Sequence, residues 1–189
     1  MNICVFWLKA VGNKDSISKL KEWMSADYNY WQTPDGQTHV ECSADRHFFR
    51  LGDVHIEEED ENSAVICGNC AYAVKYCMFD NSPLSYYSAR GDMFSAIRKS
   101  IDMVEATRAL GLTVEIYSSE SETCFSEHIV VKNGEIVTDQ FTDYHEYSLE
   151  KYNSKEEAEE ELKTTISDSE WNAGGYITRC EWFPWKFSI

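Results

Sequence analysis

Positive charge is scarce in this chain. Its 189 residues hold 17 Lys and Arg against 33 Asp and Glu, a formal net charge of -16. Such a field repels nucleic acid, phosphorylated ligands and anionic lipid, and draws basic surfaces. Long hydrophobic runs are missing too. No apolar stretch approaches the ~20 residues that span a bilayer. The start, Met1 to Lys9, has no basic region and no small-residue cleavage site, and reads as a buried strand rather than a signal peptide. There is no G-x-G-x-x-G or G-x-x-x-x-G-K-[ST] loop to cradle phosphates, and no G-x-S-x-G nucleophile elbow. Nucleotide-dependent and serine-hydrolase chemistry lose their usual signatures. No basic face is available for RNA-type stacking on strand rings such as Tyr72 and Tyr76.

What is abundant is apolar and aromatic. Hydrophobic residues make up 43% and aromatics 14%, which excludes an acidic disordered tail and supplies a packed core. Seven cysteines, without secretory features, point to reduced thiols in a bacterial cytoplasm.

The periodicities predict an order of elements. A strand over residues 3–11 stops at Gly12-Asn13, and a helix from about Asp15 carries Ile17, Leu20 and Met24 on one face. Residues 28–37 read as a loop around Pro34-Asp35-Gly36, holding the aromatic Trp31. Strands over 47–56 and 64–78 follow, with the run Glu57, Glu58, Glu59, Asp60 and Glu61 as their connection. Asp92 caps a helix in which Phe94, Ile97, Ile101 and Val104 share a face, closed by Gly111. A strand over 112–116, a polar turn over 118–123, and a hairpin of 125–132 with 135–141 through Asn133-Gly134 complete the pattern. The fold class is therefore α+β. Its first six elements have the ferredoxin-like βαββαβ order, an antiparallel sheet with helices on one face, plus an extra hairpin. Residues 1–143 form that domain. Residues 144–189 add an acidic helix, with Ser154 and Glu157 as a capping box and Ala158, Leu162 and Ile166 on one face, then an aromatic strand after Gly174-Gly175.

The segments 110–120 and 129–137, Leu-Gly-Leu-Thr-Val-Glu-Ile-Tyr-Ser-Ser-Glu and Ile-Val-Val-Lys-Asn-Gly-Glu-Ile-Val, resemble the YubB-type ferredoxin-like domain of plasmid and phage proteins. The resemblance covers less than half of the chain. It implies a fold and a mobile-element setting, and no catalytic residues or cofactor.

Cys67-Gly68-Asn69-Cys70 is a C-x-x-C unit, and Cys77, Cys42, His47 and His55 are the residues that would complete four zinc ligands. On a strand, residues three apart face opposite sides, so the two thiols converge only if Gly68-Asn69 bulges. A thioredoxin-like redox pair needs a helix start after Cys70, and none is read there. Asp143, His145 and Glu146 read as a solvated strand end. The leading expectation is a non-catalytic interaction protein that blocks a host nucleic-acid enzyme, such as a CRISPR effector or restriction system, by acidic mimicry. Glu57 to Glu61, with Glu156, Glu157 and Glu160, carry the charge; Trp31, Trp182 and Trp185 are the aromatic anchors. The alternatives are a small metal or redox protein built on Cys67 and Cys70, and a homodimer formed through the open sheet face.

Overall fold

The computed structural model describes residues 3–32, 34–36, 38–48, 50–79, 100–120, 125–143, 145–162, 165–179 and 186–189. β1 (Ile3–Val11) buries every second residue: Cys4, Phe6, Leu8 and Ala10 point into the core. Asn13 caps α1 (Lys14–Met24) by accepting from the Ser16 amide at 2.8 Å. The helix lays Ile17, Leu20, Trp23 and Met24 on the Phe6 face of the sheet.

The loop expected over 28–37 begins instead as a strand. Tyr28–Gln32 (β2) pairs with Thr38–Cys42 (β3), and Trp31 stands opposite His39. Pro34-Asp35-Gly36 is the turn of this hairpin, and the β-forming Tyr and Trp residues outweigh the turn signal.

β4 (Leu51–Glu59) and β5 (Ser63–Ala71) form the next hairpin. Both are displaced from the expected strands. β4 begins four residues later than read and runs through Glu59. β5 ends at Ala71, because Tyr72 adopts φ 73° and breaks the ladder. Residues Lys75–Phe79 then form one π-helical turn where a strand was expected.

Of the helix expected from Asp92 to Gly111, the described residues are helical only from Met103. Asp102, extended at φ -96° and ψ 168°, caps α2 (Met103–Leu110) and accepts from the Glu105 amide at 2.7 Å. Ser100 bridges His47, so Ile101 precedes the helix instead of lying in it. Asp92, Phe94 and Ile97 lie outside the described residues. Gly111 ends α2 in the left-handed conformation at φ 65°.

β6 (Thr113–Glu120), β7 (Phe125–Lys132) and β8 (Glu135–Asp143) form a meander. The expected turn at Ser118 is ladder as far as Glu120. Asn133 and Gly134 close the β7–β8 hairpin with φ of 52° and 77°. The main sheet is antiparallel in the order β4-β5-β1-β6-β7-β8. The chain is therefore α+β with a six-stranded antiparallel sheet. α1 and α2 share the core with the Phe6 side of the sheet.

The last part has a small core of its own. β9 (His145–Ser148) pairs with β10 (Tyr176–Arg179), and Leu149, Ala158, Ile166 and Ile177 cluster beside them. α3 (Lys155–Leu162) ends before Ile166, which packs on Ala158 from outside the helix. Ser154 accepts from the Glu157 amide at 3.2 Å, but the Glu157 carboxylate takes the Asn153 amide, so only half of the expected box forms. The complete capping box is Ser167 with Glu170 at α4 (Asp168–Ala173). No described helix is long and apolar enough to cross a membrane.

Candidate functional site

Strand alternation decides where each candidate residue points. On the β4–β5 hairpin, Glu57, Glu58 and Glu59 belong to β4, with Glu58 and Glu59 paired to β5 and Glu57 the extra residue at a register shift; only Asp60, Glu61 and Asn62 connect the strands. All five acids are exposed. They are not equivalent. Glu59 pairs with Lys14 at the start of α1, at 3.4 Å. Glu57 accepts a hydrogen bond from the Cys67 thiol at 2.9 Å. Asp60 accepts from Ser63 Oγ at 3.4 Å and helps to close the turn. Glu58 and Glu61 project without a structural duty of this kind. A register shift between Ile56 and Glu58 turns the acids toward both sides of the sheet edge.

The glutamates of α3 divide similarly. Glu157 holds the Asn153 amide at 2.9 Å, Glu159 holds the Ile166 amide at 2.8 Å, and Glu161 accepts from Tyr152 Oη at 3.2 Å. Glu156 and Glu160 are exposed. Of the aromatic anchors, Trp31 is placed by its backbone in β2, and Trp182 and Trp185 lie outside the described residues.

The C-x-x-C unit runs straight along β5. Cys67, Gly68, Asn69 and Cys70 pair in unbroken register with Trp7, Phe6, Val5 and Cys4 of β1. The bulge at Gly68-Asn69 that zinc would require is not seen. Cys67 faces the open side and Cys70 the core. A Cβ on Gly68 would stand 2.7 Å from Phe6 Cζ and 3.0 Å from the Gly52 carbonyl, so this glycine serves packing rather than a metal turn. Burial, then the Glu57 carboxylate, push the Cys67 thiol up to about 12, and it stays protonated. Cys70 is shifted up by its neighbours Cys4 and Cys77 and by burial. Cys77 lies against Cys70 and donates to the Ala71 carbonyl at 3.0 Å. His47 is buried elsewhere, its carbonyl accepting from the Ile101 amide at 3.0 Å. Among the described residues no three His, Cys, Asp or Glu side chains are arranged to hold a metal.

Two carboxylates on neighbouring strands were not read as special from the sequence. Glu115 of β6 is on the open face and Glu127 of β7 on the core face, both almost fully buried. The Glu115 carboxylate accepts from the Ser188 amide at 2.6 Å, the Ile189 amide at 3.1 Å, Ser188 Oγ at 3.1 Å and Tyr117 Oη at 3.3 Å. It lies 2.9 Å from His128 Nε2, whose other ring nitrogen lies 3.0 Å from Gln140. The Tyr117 and His128 rings stack at 4.3 Å, and Phe187 tilts onto Tyr117 at 5.6 Å. Tyr117 Oη also donates to the Lys186 carbonyl at 3.1 Å.

The cluster thus straps residues 186–189 to the sheet. The Glu115 carboxylate stands between the Ser188 hydroxyl and the His128 imidazole and contacts both. The one signal in the sequence was an acid and a histidine at strand positions otherwise suited to apolar residues, and only the register shows that they meet.

Burial raises the Glu115 carboxyl, but the Ser188 amide, His128, the Ser188 hydroxyl and the Ile189 amide together bring it below its ordinary value. A depressed acid stabilises the folded contact above its unfolded pKa and loses that contribution as pH falls through the folded one. The strap is therefore expected to hold at neutral pH and to loosen on acidification below about 4.5, the ordinary glutamate range. Glu115→Ala should speed exchange of the Ser188 and Ile189 amides at least ~10-fold, a loss of ~1.4 kcal/mol or more. Exchange by NMR at neutral pH checks this.

No family model matches the sequence, and neither a curated protein nor a solved structure matches it.

Proposed function

We propose that the chain is a non-catalytic interaction protein of a mobile element, working in the bacterial cytoplasm. It binds a basic surface on a host enzyme that handles nucleic acid, such as a CRISPR effector or restriction nuclease, and competes there with the nucleic acid. The observation that carries this reading is the β4–β5 hairpin, where five consecutive exposed acids run from the end of β4 into the turn. Like charges so placed repel one another, Glu58 and Glu61 have no structural contact among the described residues to offset this, and a net charge of -16 reinforces their field. Duplex DNA carries one charge per ~1.7 Å of axis, and Arg and Lys built to meet that density would meet carboxylates as well.

The fold supports the setting. The four main-sheet strands that come first in the chain, β1, β4, β5 and β6, lie in the order β4-β5-β1-β6, with helices on one side. This order is compatible with a ferredoxin-like sheet to which β7 and β8 are added at the β6 edge. The segments 110–120 and 129–137, which resemble YubB-type domains, fall largely on β6–β8, and that resemblance is the ground for a plasmid or phage setting.

Displacement of labelled duplex DNA from a CRISPR effector and from a restriction nuclease tests the reading. The wild-type chain should compete at low salt and fail at high salt. Reversing Glu58, Asp60 and Glu61 to Lys should weaken competition at least ~10-fold while leaving Glu57 and Glu59 with their partners. Equal competition by the triple variant at low salt would remove the hairpin from the contact.

A further inference from the structure

Three thiols meet where β5 ends and the π-helical turn begins. Cys4 of β1 and Cys70 of β5 are partners in the ladder, and both face the core. Cys77 joins them from the turn Lys75–Phe79. The chain reverses to bring it there. Tyr72 leaves β5 at φ 73°, a left-handed conformation that strains an aromatic residue. The Ala73 amide then bonds the Ala71 carbonyl at 3.1 Å, and the Cys77 amide bonds the Ala73 carbonyl at 3.2 Å. The Cys77 thiol ends 3.0 Å from the carbonyl of Ala71, the residue that follows Cys70. The Cys70 and Cys77 thiols are themselves in hydrogen-bonding contact. Glu127 of β7 holds the Val74 and Lys75 amides at 2.9 and 3.3 Å, so the reversal is fixed.

Packing accounts for each buried cysteine singly, as a small apolar side chain. It does not account for a strained reversal that sets one thiol on another. Strained backbone and π-helical turns both concentrate at functional positions.

Access and chemistry distinguish the three. Cys4 is 0% exposed, Cys70 2% and Cys77 7%, so a small reagent reaches Cys77 first. Cys77 is also the more readily ionised of the touching pair. The hydrogen bond from Cys70 holds it below its ordinary value, with the Arg50 charge in support, whereas Cys4, Cys77 and burial push Cys70 up. A thiol of this kind beside a second one is the arrangement that peroxide oxidises and a neighbour resolves. Cys67 is the contrast. It is equally exposed at 7%, but it faces the other side of the sheet and donates to Glu57 at 2.9 Å.

We propose that Cys70 and Cys77 are a peroxide-responsive pair, in which Cys77 attacks and Cys70 resolves. The Cys77 sulfur attacks one oxygen of a hydroperoxide, the O–O bond breaks, and the other oxygen leaves with the thiol proton as water or an alcohol. Cys77 becomes a sulfenic acid. The Cys70 sulfur then attacks the Cys77 sulfur, the S–O bond breaks, and the hydroxyl leaves with the Cys70 proton as water. Two thiols are oxidised to one disulfide, and one peroxide is reduced. The bond closes the Tyr72 reversal covalently, and a dithiol reductant reopens it by exchange. The pair lies at the end of β5 remote from the acidic hairpin and does not rest on the mimicry reading.

The test treats the full folded chain with hydrogen peroxide, blocks the remaining thiols by alkylation and maps the product after trypsin. Lys75 lies between the two cysteines, so trypsin separates residues 51–75 from 76–90 unless a disulfide joins them. The expected product is that joined pair, lighter by two hydrogens than the separate peptides, with fragmentation placing the bond at Cys70. This map needs no variant to fold. Cys70→Ala should leave Cys77 as a sulfenic acid that dimedone labels, and Cys77→Ala should abolish the joined pair. In the wild-type chain the free Cys77 thiol should disappear at least ~10-fold faster than that of Cys67, and unfolding in urea should remove the preference. A bond from Cys70 to Cys4, a bond through Cys67, equal rates for Cys67 and Cys77, or residues 76–90 left unjoined would overturn the proposal.

Discussion

Glu127→Ala lowers the unfolding free energy by about 3–5 kcal/mol, since each buried donor stripped of its acceptor costs about 1–3 kcal/mol. Glu127 is the acceptor for the start of the turn that follows β5. Its Oε2 takes the Val74 amide at 2.9 Å and Ser118 Oγ at 2.7 Å, and its Oε1 takes the Lys75 amide at 3.3 Å. Those amides begin the π-helical turn and have no earlier turn to bond to. Alanine leaves the Val74 amide and the Ser118 hydroxyl buried without an acceptor, together with a void. Glutamine keeps one oxygen for two of the three donors and should cost about 1 kcal/mol. The ordering Ala worse than Gln worse than wild type, measured by denaturant melts, checks the assignment.

The pH dependence of this residue runs opposite to that of Glu115. Burial raises the Glu127 carboxyl above its ordinary value, and Ser118 and the two amides offset only part of the rise. An acid with a raised folded pKa binds its proton more tightly when folded, so stability increases as pH falls through the folded value toward 4.5. Glu127→Gln should remove that gain and flatten the wild-type curve in this window. A difference between wild type and Glu127→Gln that stays constant across this window would contradict the shift.

Phe6→Ala should cost about 3–5 kcal/mol, the range for a buried phenylalanine. Phe6 is 1% exposed on the central strand β1, and its ring lies over Gly68 of β5, where a Cβ would come within 2.7 Å of Cζ. The glycine leaves the space that the ring fills. Gly68→Ala alone should therefore overpack the site by about 1–3 kcal/mol. In Phe6→Leu the missing ring atoms leave room for the new methyl. Phe6→Leu with Gly68→Ala should then cost less than the sum of the single changes by at least ~0.5 kcal/mol. Additivity in a denaturant double-mutant cycle would show that the two positions do not share one space.

The strands were the most legible part of the chain. Alternation in 3–11 and 112–116 and the Asn133-Gly134 turn place β1, β6 and the β7–β8 hairpin, because period-two burial and a two-residue turn are local properties. Boundaries failed where a single residue overrode the pattern. Tyr72 at positive φ ends β5, and Asp102 starts α2 only after Ser100 has bridged His47. The β2–β3 hairpin was missed because Pro34-Asp35-Gly36 marks a turn equally well inside a loop and between strands.

By itself the sequence determined the α+β class, the net charge of -16 and the acidic run Glu57 to Glu61, since these depend on composition and local periodicity. It also separated Cys67 from Cys70, because neighbours three apart on a strand face opposite ways. Only the tertiary structure decided which acids are occupied. Glu59 turns to Lys14, Glu57 to Cys67, Glu115 to Ser188 and Glu127 to Val74, and all but the second of these pairings join groups 45 or more positions apart. Only the sheet order shows that β8 lies at an edge, since edge and centre are properties of pairing between strands and leave no local mark in the residues of either.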